Sequence, residues 1–316
     1  VYVAWEDHRD GDLENGNIYI NYSEDGGDTF LEKDIAIDAD EDGDFMSLEP
    51  RIVAEGSSVY VTWFDSHYGA YDIFLNSSTD GGVTWLPDPV RVDSGEAGSG
   101  YSAHPVLAAN SEGNIVVAWE DSRDGYSDIY VNQSSDYGHS FGSDTRLDIG
   151  DAGSADSFVP TIAIDGDAAY VAWHDTASGA GRDIYLARSS DAGATWVSGV
   201  RIESSAAGLF DALFPDLAVS GQAVHVVWQD ARSGGHDIFY QKSSDGGETW
   251  EPEEFRLDRD ASGASHSYRP KIRRFEDGQI VAYWEDYRYD GEQVGFNDLL
   301  YNYSLDDGQT WSGSDY

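Results

Sequence analysis

An acidic run near the start of the chain has the residue types and the spacing of a calcium-binding loop. Carboxylates fall at loop positions 1, 3, 5, 7 and 12, and a glycine follows the third of them. Hard oxygen ligands in that order, around a tight glycine turn, suit Ca²⁺. The run predicts a Ca²⁺ site without the flanking helices of an EF-hand, and the alternative is a chance acidic stretch. Its acids are Asp38, Asp40, Asp42, Asp44 and Glu49.

A second group of residues with chemical potential is the repeated phrase Trp-x-Asp-x-Arg-x-Gly, followed by Asp-Ile-Tyr. Trp119, Asp121 and Arg123 typify it, whereas the second and fourth copies carry His67 and Ala177 at the arginine position. Several guanidinium groups on one rim could bind a carboxylate ligand bidentately. The alternative, which near-perfect repetition favours, pairs each arginine with an aspartate of its own or the next hairpin. The arginines are Arg9, Arg123, Arg232 and Arg288.

These residues lie within a tandem repeat marked by an eight-residue box, Ser-x-Asp-x-Gly-x-Thr-Trp with conservative swaps. A period of about 55 residues indicates one supersecondary unit copied in tandem. The box itself is predicted to be structural, because its aspartate can accept backbone N–H bonds in a tight turn while its aromatic residue packs between strands. The copies begin at Ser23, Ser78, Ser134, Ser189, Ser243 and Ser304.

Each repeat predicts four antiparallel strands and no helix. In the second repeat these are a run after Pro50, an alternating run ending at Trp63, a run from Asp72, and a run ending at Asp93. Four strands per repeat are typical of a propeller blade. We predict an all-β, six-bladed propeller, with a seven-bladed parent as the alternative. The predicted single domain has blades at roughly 1–38, 47–93, 102–148, 157–203, 212–258 and 267–316, lacking the first strand of the first blade and the last strand of the sixth.

The amino-acid composition limits the classes of molecule that the protein can bind. Sixty acidic against 18 basic residues give a formal charge of −42, which disfavours binding to nucleic acid or anionic membranes and favours cations. Adaptation to high salt and a calcium-rich extracellular setting are the two interpretations. No apolar run is long enough for a membrane span, and we expect no signal peptide within the sequence. The chain begins in the middle of a repeat, so we expect it to be part of a longer polypeptide.

The spaced boxes resemble those of the Asp-box family, also called bacterial neuraminidase repeats, over essentially the whole chain. The resemblance implies a sialidase-like propeller whose functional face lies opposite the boxes. Sialidases bind the substrate carboxylate with three arginines and use a tyrosine nucleophile paired with glutamate. Their Phe/Tyr-Arg-Ile-Pro phrase has only a partial counterpart here, Tyr268-Arg269-Pro270, and the other catalytic residues have no assigned match.

Residues that break the repeat on that face are the remaining candidates for ligand binding. They include His104 and Arg269, which precede prolines, and Tyr287 in a hairpin loop. Aromatic and polar groups around a propeller mouth suit a sugar or a peptide, and the alternative is that they plug the channel. We therefore predict a secreted or cell-surface module that binds a glycan or protein ligand and is stabilised by Ca²⁺. The alternatives are a glycoside hydrolase of the sialidase type and a purely structural propeller.

Overall fold

We describe a computed structural model of the chain over residues 1–9, 16–38, 45–288 and 298–316. These residues form strands, turns and loops, with no helix among them. Accordingly, the described part of the chain offers no helix with the length and apolar character of a membrane span. The strands form six antiparallel sheets in two compact units, Val1–Leu147 with Ser189–Trp196, and Asp148–Arg188 with Val197–Tyr316.

The first unit holds three sheets, each built from consecutive strands. The first sheet contains β1 (Tyr2–Asp7), β2 (Asn17–Tyr22) and β3 (Ile35–Ala36). The second contains β4 (Ser47–Glu55), β5 (Ser58–Asp65), β6 (Asp72–Ser78) and β7 (Val90–Arg91). The third contains β8 (Ser102–Ala109), β9 (Ile115–Asp121), β10 (Asp128–Ser134) and β11 (Thr145–Arg146).

The second unit also holds three sheets of consecutive strands. The fourth sheet contains β12 (Ser157–Asp165), β13 (Ala168–Asp175), β14 (Asp183–Ser189) and β15 (Val197–Arg201). The fifth contains β16 (Ala212–Ser220), β17 (Ala223–Asp230), β18 (Asp237–Ser243) and β19 (Phe255–Arg256). The sixth contains β20 (Ser267–Arg274), β21 (Ile280–Asp286) and β22 (Asp298–Ser304).

The six sheets differ in strand number. Among the described residues, the first and sixth sheets have three strands each and the other four have four. At the free edge of the sixth sheet, Tyr316 exchanges two backbone hydrogen bonds of 3.0 Å with Tyr301 of β22. Tyr316 thus occupies the position at which the second, third and fifth sheets begin their fourth strand.

The cores lie between consecutive sheets within each unit. Between the second and third sheets, Tyr60 and Leu75 pack with Val117 and Trp119, and all four are almost completely buried. The central strands are buried on both faces, since every residue of β5 is shielded from solvent. That double burial explains why these strands are nearly continuous in apolar and β-branched residues rather than strictly alternating.

The first strand of each four-stranded sheet begins earlier than predicted. We expected it to follow the proline, but β4 starts at Ser47 and runs through Pro50. A β-bulge between Leu48 and Arg51 breaks the register there, and the residue before the proline has a positive φ. Because the bulge removes this position from the ladder, the missing N–H of proline does not interrupt the sheet. The same bulge recurs in β8, β12, β16 and β20.

The boxes are self-contained hydrogen-bonded turns. In the second sheet, the Asp80 carboxylate accepts bonds from the Ser78 hydroxyl and from the backbone and hydroxyl of Thr84, at 2.6 to 2.8 Å. The Gly82 amide donates to Ser78 Oγ at 2.9 Å. The same bonds recur in the other copies, so the box aspartates have local partners within the turn.

Candidate functional site

The four repeated arginines are bound by carboxylates. Arg123 bridges Asp121, two residues away on β9, and Asp144, which it reaches at 2.7 Å. Its guanidinium also lies 4.3 Å from the centre of the Tyr130 ring. The structure therefore displays the pairing that the regular repetition favoured. The other three follow the pattern: Arg9 with Asp7 and Asp34, Arg232 with Asp230 and Glu254, and Arg288 with Asp286 and Asp315.

This pairing has a clear electrostatic consequence. Burial acts to raise the pKa of Asp121, but hydrogen bonds from Arg123 and from the indole of Trp119 outweigh it and hold that pKa below its usual range. A guanidinium that already binds two carboxylates and an aromatic ring has few N–H donors left to bind an external ligand. We therefore assign these arginines to stabilisation of their own hairpins rather than to the predicted ligand contacts.

The residue before each proline, at the bulge, is a second repeated position. Unlike the repeated arginine, this residue differs in type from sheet to sheet. Their φ angles lie between 49° and 54°, in a region that side chains other than glycine rarely adopt. Such strain is common at functional sites, where it aims a side chain. The five residues are Glu49, His104, Val159, Phe214 and Arg269. The prolines were visible in the sequence, whereas the bulge that aims the preceding side chain was not.

In the first unit, the structure brings two of these residues together. The His104 imidazole lies 3.0 Å from the Glu49 carboxylate, although the two are 55 positions apart. Both side chains remain substantially exposed, and Arg51 lies 3.7 Å from the same glutamate. Glu49, predicted as the last Ca²⁺ ligand, therefore lies beside the His104 imidazole and the Arg51 guanidinium in this structure.

In the second unit, Arg269 differs from the repeated arginines. Its side chain is 66% exposed, and its ion pair with Glu285 is long, at 3.7 Å. Its guanidinium lies 6.0 Å from the ring of Phe214. The strained backbone is held by Gln229, whose buried side-chain oxygen accepts the Arg269 N–H at 2.9 Å. Arg269 thus presents a positioned cation to solvent.

A cluster of aromatic and imidazole rings adjoins Arg269. Tyr268 stacks on His266 with ring centres 5.5 Å apart, and its ring meets the edge of Tyr287 at the same distance. His236 lies 5.2 Å from Tyr268. We call these four rings, His236, His266, Tyr268 and Tyr287, the ring cluster. Sequence reasoning identified Tyr287 but missed the two histidines, because the hairpin loop and the inter-sheet crossing that carry them are 30 residues apart.

His174 is a buried residue of the second unit, and its imidazole carries no charge at neutral pH. It packs between Phe158 and Phe214, with ring centres 6.0 and 5.9 Å away. Burial, followed by repulsion from Arg182, lowers its pKa to about 3. The imidazole is therefore neutral near pH 7, and its pKa is far from the range suited to a general base.

The predicted calcium loop is only partly described. Asp40, Asp42 and Asp44 lie outside the described residues. Asp38 is buried and accepts the Ile18 N–H at 2.6 Å. Asp93 and Asp258 accept equivalent bonds in sheets that lack such a loop, so this bond belongs to the repeat. Calcium binding by the loop remains a prediction.

Three carboxylates elsewhere also come within 4.8 Å of one another: Asp237, Asp258 and Asp260. Arg256 lies among these carboxylates, with its guanidinium 2.7 Å from Asp260, 3.2 Å from Asp258 and 3.8 Å from Asp237. The group is therefore an ion-pair network of the fifth sheet. We do not assign it a metal.

These features define a class of protein: an all-β repeat chain with an Asp box closing the hairpin of each sheet. The chain belongs to the BNR repeat-like domain family, whose match covers residues 57–268. No curated protein sequence matches the chain. The fold neighbours described next are distant in sequence.

Solved structures of carbohydrate-active enzymes share the fold. A Hadza microbial sialidase is 16% identical and aligns over 83% of this chain and 57% of its own, with a TM-score of 0.51. The Penicillium chrysogenum α-L-arabinanase complexed with arabinobiose is 16% identical over 85% of this chain and 93% of its own, with a TM-score of 0.53. An ulvan lyase is 12% identical over 94% of this chain and 75% of its own, with a TM-score of 0.60. This chain thus spans little more than half of the sialidase.

Proposed function

We propose that this chain is a six-bladed propeller that binds a glycan through Arg269 and the ring cluster. The supporting observation is that Arg269 is the strained, exposed cation beside four contiguous rings, whereas the repeated arginines are bound by two carboxylates each. We further propose that it acts outside the cell or at its surface, and that the Asp38–Glu49 loop binds Ca²⁺.

The chemistry of these groups suits a sugar. Aromatic faces pack against the C–H faces of a pyranose ring, and histidine and tyrosine edges hydrogen-bond its hydroxyl groups. A guanidinium adds bidentate recognition of a carboxylate, as in a uronic acid. The ulvan lyase is described bound to a disaccharide containing GlcA, which makes an acidic glycan a reasonable first candidate. The charge of −42 opposes such a ligand only weakly at physiological salt, where screening acts over about 8 Å.

The alternative is a glycoside hydrolase of the sialidase type, which the similarity to a sialidase structure supports at the level of fold. That reaction requires three arginines on one carboxylate and a tyrosine–glutamate pair. In this chain the four repeated arginines serve their own hairpins. This engagement leads us to prefer binding over hydrolysis.

A glycan array that includes uronic and sialic acids, probed with the whole chain, tests the proposal. The Arg269→Gln variant should weaken binding to the selected glycan about tenfold or more, because it removes a charged hydrogen bond. Arg188→Gln is the matched control, since Arg188 also pairs with a single glutamate, at 3.0 Å, but lies beside the boxes. Turnover of a fluorogenic sialoside would favour the hydrolase. If the protein neither binds a glycan nor turns over the sialoside, the remaining interpretation is a purely structural propeller.

A further inference from the structure

In the second to fifth sheets, an arginine on the fourth strand holds the segment that leads to the next sheet, which we call the crossing. In the second sheet, Arg91 contacts Asp72 at 2.9 Å and Asp93 at 2.5 Å, and it donates to the carbonyl oxygen of Gly95 at 2.9 Å. The guanidinium thus ties the third strand to the start of the crossing. The equivalent arginines contact the corresponding acids in their own sheets, and they are Arg146, Arg201 and Arg256.

The first sheet has an alanine where the other sheets have this arginine. Ala36 of β3 pairs with Tyr19 of β2, as Arg91 pairs with Phe74 in the second sheet. The arginines of the third, fourth and fifth sheets pair with the aromatic residue at the same place on the neighbouring strand. The strand register therefore establishes the equivalence, and the side chain at this position of the first sheet carries no charge.

The two residues that flank the arginine elsewhere are retained in the first sheet as oxygen donors. Asn17 begins β2 as Asp72 begins β6, and Asp38 follows β3 by two residues as Asp93 follows β7. Each of the two acids after the strand accepts the backbone N–H of the residue that follows its partner, at 2.6 and 2.8 Å respectively. The first crossing therefore begins with the same backbone arrangement as the others but without the cation.

Asn17 is the residue that points to a ligand. Its side chain is only 4% exposed, and its Oδ1 atom has no hydrogen-bond donor within the part of the chain that the structure describes. In the second sheet, the equivalent Asp72 carboxylate binds Arg91 and the Gly98 N–H. A buried amide oxygen without a donor is destabilising unless another group binds it. Asn17 Oδ1 is thus a hard oxygen atom suited to binding a cation.

The sequence of the first crossing changes together with the arginine. The positions two, four and six residues after Asp38 are all aspartates, namely Asp40, Asp42 and Asp44. The same positions of the four crossings that begin with an arginine hold a single acid in total, Asp260. These three aspartates lie outside the described residues, but their charge follows from the sequence. The first crossing has therefore lost the cation of the repeat and gained acids.

Loss of the arginine for structural reasons alone favours fewer acids, because a buried carboxylate without a cation is destabilising. One acid is indeed lost, since Asn17 stands where the other sheets have aspartate. Asp38 is nevertheless retained and buried, and three acids are gained for the one that is lost. This is the change expected where a divalent metal ion replaces a guanidinium of single charge.

We propose that a Ca²⁺ ion takes the place of the arginine at the first crossing, with Asn17 Oδ1 and the Asp38 carboxylate as two of its ligands. This assignment rests on the calcium binding proposed above for the Asp38–Glu49 loop. Ca²⁺ binds about six to eight oxygen atoms, and amide and carboxylate oxygens are among its usual ligands. Because Asn17 lies on β2, outside the loop, the ion ties the crossing to the sheet as the guanidinium does elsewhere.

Isothermal titration calorimetry of the whole chain with calcium chloride, at constant ionic strength, tests the role of Asn17. Asn17→Ala should lower the affinity for Ca²⁺ about tenfold or more, since it removes a ligand atom. Asn17→Asp should bind Ca²⁺ at least as tightly as wild type, because a carboxylate supplies the same ligand oxygen with a negative charge.

A second variant tests whether the ion and the arginine occupy the same place. Asn17→Asp combined with Ala36→Arg rebuilds in the first sheet the arrangement of the second. It should bind Ca²⁺ at least tenfold more weakly than wild type, and in the presence of chelator it should melt at a higher temperature than wild type. Leu31→Arg is the control, because it adds the same charge at an exposed position directly after the box and should keep the wild-type affinity.

Two results would overturn the assignment: unchanged Ca²⁺ affinity in Asn17→Ala, or wild-type affinity in the folded double variant. If Asn17→Ala does not fold, the double variant decides. Binding that is lost in Asp40→Asn with Asp42→Asn but unchanged in Asn17→Ala would retain the calcium loop and refute the role of Asn17. The absence of Ca²⁺ binding by wild type would refute the loop and the assignment together.

Discussion

Glu203 holds a proton at neutral pH, and replacing it by glutamine should stabilise the protein. Its side chain, two residues after the end of β15, is shielded from solvent, and its Oε1 accepts the Ile184 N–H at 3.2 Å and an Arg201 N–H at 3.3 Å. Burial first, and then the neighbouring Asp183 carboxylate, raise the pKa of Glu203 to about 9. Glutamine keeps the accepting oxygen and carries no charge, so it avoids the repulsion from the Asp183 carboxylate.

The sign and the size of the effect follow from proton linkage. Because the pKa of Glu203 is higher in the folded than in the unfolded protein, its stabilising contribution is complete below pH 4.5 and is lost as the pH rises toward 9. At pH 7 the folded protein keeps a proton that the unfolded chain, with a pKa near 4.5, releases. At 1.36 kcal/mol per pH unit, this difference destabilises the fold by roughly 3 kcal/mol. Glu203→Gln should recover up to that amount at pH 7 and almost nothing at pH 4.

Urea denaturation of wild type and Glu203→Gln between pH 4 and pH 9 measures the difference. Subtracting the two curves removes the pH dependence that arises from the remaining acids. Glu248→Gln is the control, because Glu248 is 61% exposed and pairs with Arg188 at the surface. It should stay within about 0.5 kcal/mol of wild type. A difference between Glu203→Gln and wild type that does not grow with pH would refute the raised pKa and the burial that causes it.

Three further outcomes are expected. Trp119→Ala should cost roughly 3–5 kcal/mol in urea, since the indole is completely buried, and a loss near zero would contradict its place in the core. Arg123→Met should cost about 3–5 kcal/mol by leaving two buried carboxylates unpaired, while Arg51→Met, at an exposed site, should change stability by less than about 0.5 kcal/mol. Asp40→Asn with Asp42→Asn should lower the melting temperature in Ca²⁺ and abolish its shift on chelation, and a persisting shift would exclude this loop as the calcium site.

The repeat predicted the elements well because it encodes local chemistry. The boxes need only contacts within eight residues, so Asp80 and Thr84 could be paired from the sequence. Second strands were recognisable from β-branched and aromatic residues ending in tryptophan. The start of the first strand was misplaced, since a proline signals a strand boundary by default and the bulge at Glu49 depends on the neighbouring strand.

The candidate site was predicted only in outline. The sequence pointed to Arg269 because its neighbours partly match a sequence motif of sialidases. Its exposure, however, depends on its distances to Glu285 and Phe214, which residue spacing along the chain does not give. For Arg123, both roles were open, and the decisive fact is the position of Asp144, 21 residues further along the chain. Side chains that meet through the fold rather than within one hairpin are the ones that sequence reasoning could not join.

The two sheets that lack the repeated arginine also lack the second acid that pairs with it. The fourth sheet carries Ala177 at that position, and its box aromatic is followed by no acid equivalent to Asp144. There Asp175 has the hydrogen bond from the Trp173 indole, at 3.3 Å, and the hydroxyl bond from Ser157, at 2.7 Å. The cation and its second anion are thus lost together.

In the second sheet, His67 takes the arginine position and Pro89 takes the place of Asp144, since each of Pro89 and Asp144 immediately precedes the fourth strand. Both sheets thus lack the cation together with its second anion, whereas Arg9, Arg232 and Arg288 keep an acid at that place. This joint absence is what a structural ion pair predicts, because a carboxylate at that place has no cation to bind once the arginine is gone. A site that held an external ligand would not require the acid to disappear with the arginine.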